Sequence, residues 1–128
     1  MAGKEIHITL PEEALKQYQG FIVRQQQLRE NENQIAAELE REIQERKSKY
    51  VTRNEIRKLK EGAITYKSAG KAFIVSPPAT VISNLTKELA ASDTAIYKLK
   101  KVLVTLEGQE QVINADIQDL VRPYIPKQ

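Results

Sequence analysis

The chain has 128 residues, room for one domain, and its 41% hydrophobic share comes with five tyrosines, two phenylalanines and no tryptophan against 29% charged residues. That mixture suits long amphipathic helices and excludes a broad aromatic core. With no cysteine, disulfides, thiolate metal sites and thiol nucleophiles are excluded, and the net charge of +3 is unevenly spread: nine Lys or Arg lie between Arg46 and Lys71 against Glu55 and Glu61, leaving the remainder net acidic.

The first residues, Met1-Ala2-Gly3-Lys4-Glu5-Ile6-His7, contain no apolar h-region, and no stretch approaches the roughly 20 apolar residues of a membrane span. The expected compartment is therefore the cytoplasm, a nuclear location being compatible with the same features, and no membrane partner is expected. His7, the sole histidine, is assigned no chemical role.

Pro11 followed by Glu12 and Glu13 suits a first helical turn, because proline lacks only an N–H that would be unpaired there and the acids favour the positive end of the helix dipole. The helix is expected over 11–50. Leu15, Tyr18, Ile22, Ala36, Leu39, Ile43 and Tyr50 form one seam at three/four spacing, with Gln25, Arg29, Glu32 and Arg46 in the remaining places. Phe21, Leu28 and Ile35 widen the stripe on its flank. Beyond a kink near Val51, the capping-box pattern Thr52-Arg53-Asn54-Glu55 predicts a short helix over 52–61, ended by Gly62.

From Ala63 to Ser76 two short runs rich in β-branched and aromatic residues flank a glycine, which predicts a β-hairpin over 63–76. With Ala69 and Gly70 at the turn, Ile64, Tyr66, Phe73 and Val75 share one face, while Thr65, Lys67, Ala72 and Ile74 share the other.

Pro77 and Pro78 stop any helix running in from upstream, and Pro123 and Pro126 mark the end of the next one, expected over 79–121 with a tail at 122–128. Here Ile82, Leu85, Leu89, Ser92, Ile96, Leu99, Leu103, Leu106, Glu110, Ile113, Ile117 and Leu120 alternate in steps of three and four. Ten of these twelve positions are apolar where composition alone would give roughly five, so a coiled-coil helix about 60 Å long is predicted. Ser92 and Glu110 are read as solvated imperfections in it.

The fold class that follows is mainly α: a long antiparallel two-helix coiled coil with a short β-hairpin at the bend. An isolated two-stranded hairpin is marginal in water, and a seam one layer thick cannot cover it. Ile64, Tyr66, Phe73, Ile74 and Val75 are therefore assigned to subunit assembly, since strands from neighbouring chains would also pair the free edges. At the opposite end Ile6, Leu10, Val121, Tyr124 and Ile125 lie beyond or at the edge of the seam, with no helix partner to bury them.

No phosphate-cradling glycine loop, metal-ligand cluster or convergent catalytic group is present, so no cofactor, metal or catalytic residue is assigned. The basic middle lacks the aromatic interleaving and groove-reading motifs of a nucleic-acid binder, which argues against that partner.

The order helix, Thr65-Tyr66-Lys67-Ser68-Ala69-Gly70-Lys71-Ala72-Phe73-Ile74-Val75, helix resembles a β-type prefoldin subunit over about 11–121, and its Gly-Lys-x-Phe-Ile form most resembles the eukaryotic subunit 1 type. Pro77-Pro78 at the start of the second helix and the Ser68-Ala69 pair depart from the family pattern. The resemblance implies a hexamer of two α-type and four β-type subunits whose hairpins form a platform for six coiled coils. It further implies ATP-independent holding of unfolded clients of the actin and tubulin kind, with delivery to the cytosolic group II chaperonin. On that reading Ile6, Leu10, Val121, Tyr124 and Ile125 are the client-binding residues. A static coiled-coil scaffold or tether is the reading from a different class, and the apolar hairpin is what it leaves without a purpose.

Overall fold

A computed structural model describes residues 9–59, 65–69 and 72–126, with 65–69 and 72–75 described by their backbone alone. The elements in chain order are helix α1 (Glu12–Arg57), strand β1 (Thr65–Ala69), strand β2 (Ala72–Ser76) and helix α2 (Pro78–Val121), followed by a 3-10 turn at Arg122–Tyr124.

Helix α1 starts where the proline and the acids place it: the Pro11 carbonyl accepts from the Leu15 N–H, and Glu12 and Glu13 occupy the first turn. Its far end departs from expectation. No kink interrupts it near Val51 and the 52–61 segment is not a separate helix, for α1 continues without a break to Arg57. No proline or glycine stands between Gly20 and Gly62, so nothing forces the backbone out of the helical ladder. A capping box is useful only where N–H groups would otherwise be orphaned.

Helix α2 begins at Pro78, one residue before the expected 79, and the Pro77 carbonyl accepts from both Thr80 and Val81. Proline at the first helical position loses no hydrogen bond. The helix ends at Val121, just ahead of Pro123. The Ile125 N–H then returns to the Arg122 carbonyl and closes the 3-10 turn.

Strands β1 and β2 pair antiparallel with Tyr66 opposite Val75, Ser68 opposite Phe73 and Ala69 opposite Ala72. Ala69 therefore belongs to the ladder and not to the turn, contrary to expectation, and Gly70 lies outside the described residues. The pairing is displaced by two from the expected one, so positions 66, 73 and 75 still share one face.

The chain divides into two compact units, one comprising residues 1–35 and 102–128, the other residues 36–101. In the first, Ala14, Leu28 and Ile113 are the buried apolar residues; in the second, Leu89 is buried, beside Ser92 at 2% exposure. Ser92 is thus no solvated imperfection. Its small side chain fits a seam position that a larger one would force open.

Along α1 the more protected residues are Ala14, Tyr18, Phe21, Gln25, Leu28, Glu32, Ile35, Leu39, Glu42, Arg46, Lys49, Arg53 and Ile56, an unbroken alternation of fours and threes, with Ile22, Ile43 and Asn54 beside it. The seam is therefore rotated from the expected one: Phe21, Leu28 and Ile35 lie in it rather than on its flank. Leu15 and Tyr50 are exposed, Leu15 at 42%. Along α2 all twelve expected seam positions are buried or half-buried, with Val81, Ala95 and Asn114 among the half-buried residues beside them.

Candidate functional site

Four of the five residues assigned to client binding are described, and all four belong to the first unit. Leu10 precedes α1 and is half-buried, Val121 closes α2 and is also half-buried, and Tyr124 and Ile125 are exposed around the 3-10 turn. Ile6 lies outside the described residues. Each is an apolar side chain left wholly or partly open near the ends of the helices.

Of the residues assigned to assembly, Ile64 lies outside the described residues, and Tyr66, Phe73, Ile74 and Val75 are fixed only by their register.

The first unit also exposes Leu15, which the expected seam would have buried, and apolar side chains that the seam pattern does not single out: Val23, Val102, Val104 at 66% exposure, and Val112. The available signal is their position. Val23, Val104 and Val112 stand off the seam rows, where a soluble helix ordinarily carries polar residues. Together with Tyr124 and Ile125 they give this unit a dispersed apolar surface rather than a single pocket.

Its interior is polar over a stretch of seam. Gln25 Nε2 donates to Asn114 Oδ1 at 2.6 Å, Arg29 Nε donates to Glu110 Oε1 at 3.3 Å, and Glu32 meets Glu110 carboxyl to carboxyl. The hydrogen bond to Glu110 is the main cause that raises the Glu32 pKa, helped by burial and by the charges of Glu110 and Glu107 and opposed by Arg29. Glu110 is shifted down, first by its bond to Glu32 and then by its bond to Arg29. Glu32 Oε1 is buried and has no hydrogen-bond partner among the described residues. Such layers fix register at a cost in stability.

In the second unit Arg46 Nε donates to Asp93 Oδ1, and Arg53 lies over the Tyr50 ring at 5.4 Å. Grooves open to solvent flank the helices: one of about 410 Å³ lined by Glu38, Arg41, Glu42, Ala95, Lys98 and Leu99 in the second unit, and one of about 230 Å³ lined by Asn31, Gln34, Ile35, Val102 and Leu106 in the first. Neither excludes water from a reacting group, as a catalytic pocket must. Among the described residues no His, Asp and Glu side chains are grouped to hold a metal ion, and no helix is long and apolar enough to cross a membrane.

A family model described as "Prefoldin subunit" matches residues 15–123. A curated relative, prefoldin subunit 1 of Arabidopsis thaliana, is 26% identical over 89 residues, which cover 70% of this chain and 70% of that protein. The crystal structure of the prefoldin beta subunit from Thermococcus strain KS-1 matches with a TM-score of 0.81 at 16% identity, covering 91% of this chain and 99% of that one. At that identity the likeness shows the fold, which is mainly α with two long helices in a coiled-coil hairpin. With the family model matched from Leu15 to Pro123, the chain belongs to the prefoldin subunit family.

Proposed function

We propose that the chain is one subunit of a hexameric, ATP-independent holding chaperone with two α-type and four β-type subunits, assembled through the β1–β2 hairpin and retaining unfolded clients at the ends of its helices. The observation that carries this reading is the set of solvent-facing apolar residues in the unit that holds both chain ends, Leu15, Tyr124 and Ile125 among them. A helical hairpin stable in water has no structural use for them, whereas an unfolded chain offers apolar segments they can cover.

Clients of the actin and tubulin kind and delivery to the group II chaperonin in the cytoplasm complete the proposal. They rest on family membership. No cofactor is required, because holding is an equilibrium between exposed apolar surfaces. The assembly residues are Ile64, Tyr66, Phe73, Ile74 and Val75, and the client-holding residues are Ile6, Leu10, Val121, Tyr124 and Ile125.

The test is suppression of aggregation. The complex reconstituted with its sister subunits should keep a chemically denatured client soluble without nucleotide. Removing Met1 to Leu10 together with Val121 to Gln128 should impair holding and leave the complex at its original size. Unchanged holding by the truncated complex would refute the placement at the ends, and no holding by the intact complex would refute the chaperone reading.

A further inference from the structure

The seam of α1 changes character at its far end. Arg46, Lys49 and Arg53 occupy three successive seam positions and are half-buried, where a coiled coil ordinarily places apolar side chains. Only Arg46 has a carboxylate, that of Asp93. Lys49 has no ion pair among the described residues, and Arg53 Nε is buried without a hydrogen-bond partner among them. Arg53 does have the Tyr50 ring at 5.4 Å, but a ring face leaves its Nε donor unmet, and a cation drawn partly out of water without an anion is unfavourable, so these positions make sense when an anion from outside completes them.

Arg57 extends the same row by one helical turn and is exposed. Its cation also complements the negative helix end, which accounts for Arg57 but not for Lys49 or Arg53. Lys58 is satisfied by Glu55 at 3.5 Å. The α2 residues of this unit nearest its N-terminus, 78–92, carry one Lys and one Glu, Lys87 and Glu88, so they do not neutralise the row.

We propose that α1 from Arg46 to Arg57 is a docking surface for an extended acidic segment of a partner protein. Charge complementarity identifies the occupant, and dimensions agree with it. Arg46, Arg53 and Arg57 span about 16 Å along the helix, and carboxylates on alternate residues of an extended peptide recur about every 6.6 Å, so three would cover most of that length. Guanidinium groups pair carboxylates through two parallel hydrogen bonds.

Beside the row, Tyr50, Val51 and Leu59 are exposed apolar side chains. These suit a peptide in which apolar residues alternate with acidic ones. A phosphodiester backbone has no use for them, and the Tyr50 ring, the one aromatic on this surface, already faces Arg53 rather than standing free to stack on a base. The row belongs to the second unit and the client-holding residues to the first, and substitutions in the row read it out separately.

The experiment measures fluorescence anisotropy of a labelled peptide alternating Glu and Leu, titrated with the full chain and with the reconstituted complex. Binding is expected to both, falling steeply as salt rises. R53Q/R57Q should weaken it at least about tenfold, while K16Q, at the other end of α1, leaves it unchanged. Helical circular dichroism verifies each variant. Should R53Q/R57Q lose helix, R57Q alone supplies the same reading through an exposed residue.

Several outcomes overturn the proposal: no peptide binding, binding indifferent to R53Q/R57Q, or tighter binding of single-stranded oligothymidylate, which would make this a nucleic-acid surface. Binding by the isolated chain but not by the complex would equally overturn it, by assigning the row to a contact between subunits.

Discussion

Glu32 and Glu110 interact across the seam of the first unit, with Arg29 Nε 3.3 Å from Glu110 Oε1, so that the charged form is favoured on Glu110 and disfavoured on Glu32. The paired shifts follow from this division, Glu32 above the ordinary glutamate value and Glu110 below it. A raised folded pKa contributes stability that is present at low pH and lost as pH rises through it. A lowered one contributes stability that is present above the ordinary value and lost as pH falls through it.

The helices should therefore be most resistant to melting at acidic pH, between the lowered value of Glu110 and the raised value of Glu32. Thermal melts followed by circular dichroism across that range read the effect. Glu32→Gln keeps a donor toward Glu110 at every pH and should flatten the decline on the alkaline side. A variant whose pH profile matches that of the parent would show that the pair does not titrate as described.

The thin seam concentrates stability in few residues. Leu28→Ala, at a position with 7% exposure, should cost about 2–3 kcal/mol, the lower part of the range for such truncations because little structure surrounds it. Val23→Ala, five residues away and exposed, should stay within about 0.5 kcal/mol. Urea denaturation of both variants provides the comparison.

Ser92 sets how closely its neighbours approach. Ser92→Ala should be nearly neutral, whereas Ser92→Leu should destabilise by about 1–3 kcal/mol through overpacking. Equal melting temperatures for the two would mean that the position has room to spare.

Arg46 and Asp93 form an ion pair whose side chains are 37% and 58% exposed. A double-mutant cycle with Arg46→Ala and Asp93→Ala should give a coupling below about 1 kcal/mol that shrinks with added salt. A larger, salt-insensitive coupling would place the pair in a drier setting than its exposure indicates.

If the hairpin builds the assembly, Phe73→Asp should leave helical content intact while the reconstituted complex falls to smaller species by size-exclusion chromatography, because an unpaired charge would enter a buried face. A complex of unchanged size would remove Phe73 from the assembly residues.

The candidate site was partly legible. Tyr124 and Ile125 stand out because Pro123 ends the helix just before them, and both are exposed. Val104 and Val112 do not stand out in the sequence because seam spacing passes over apolar residues on the other faces, where exposure is the informative property. The polar row at Arg46, Lys49 and Arg53 is legible as net positive charge, and spacing already places Arg46 in the seam; only the structure adds Lys49 and Arg53 to it.

The amino-acid sequence by itself determined the two long helices and the seam of α2, since apolar residues at strict three/four spacing leave one face that must be buried. On α1 it left two rows that share Tyr18, Gln25, Glu32, Leu39 and Arg46, one completed by Leu15, Ile22 and Ala36, the other by Ala14, Phe21, Leu28 and Ile35. Only the tertiary structure decided for the second row. The two rows differ by a rotation of one residue, about 100° for half of their members, and a helix cannot select between them until a partner helix supplies the holes that some side chains fill and others miss.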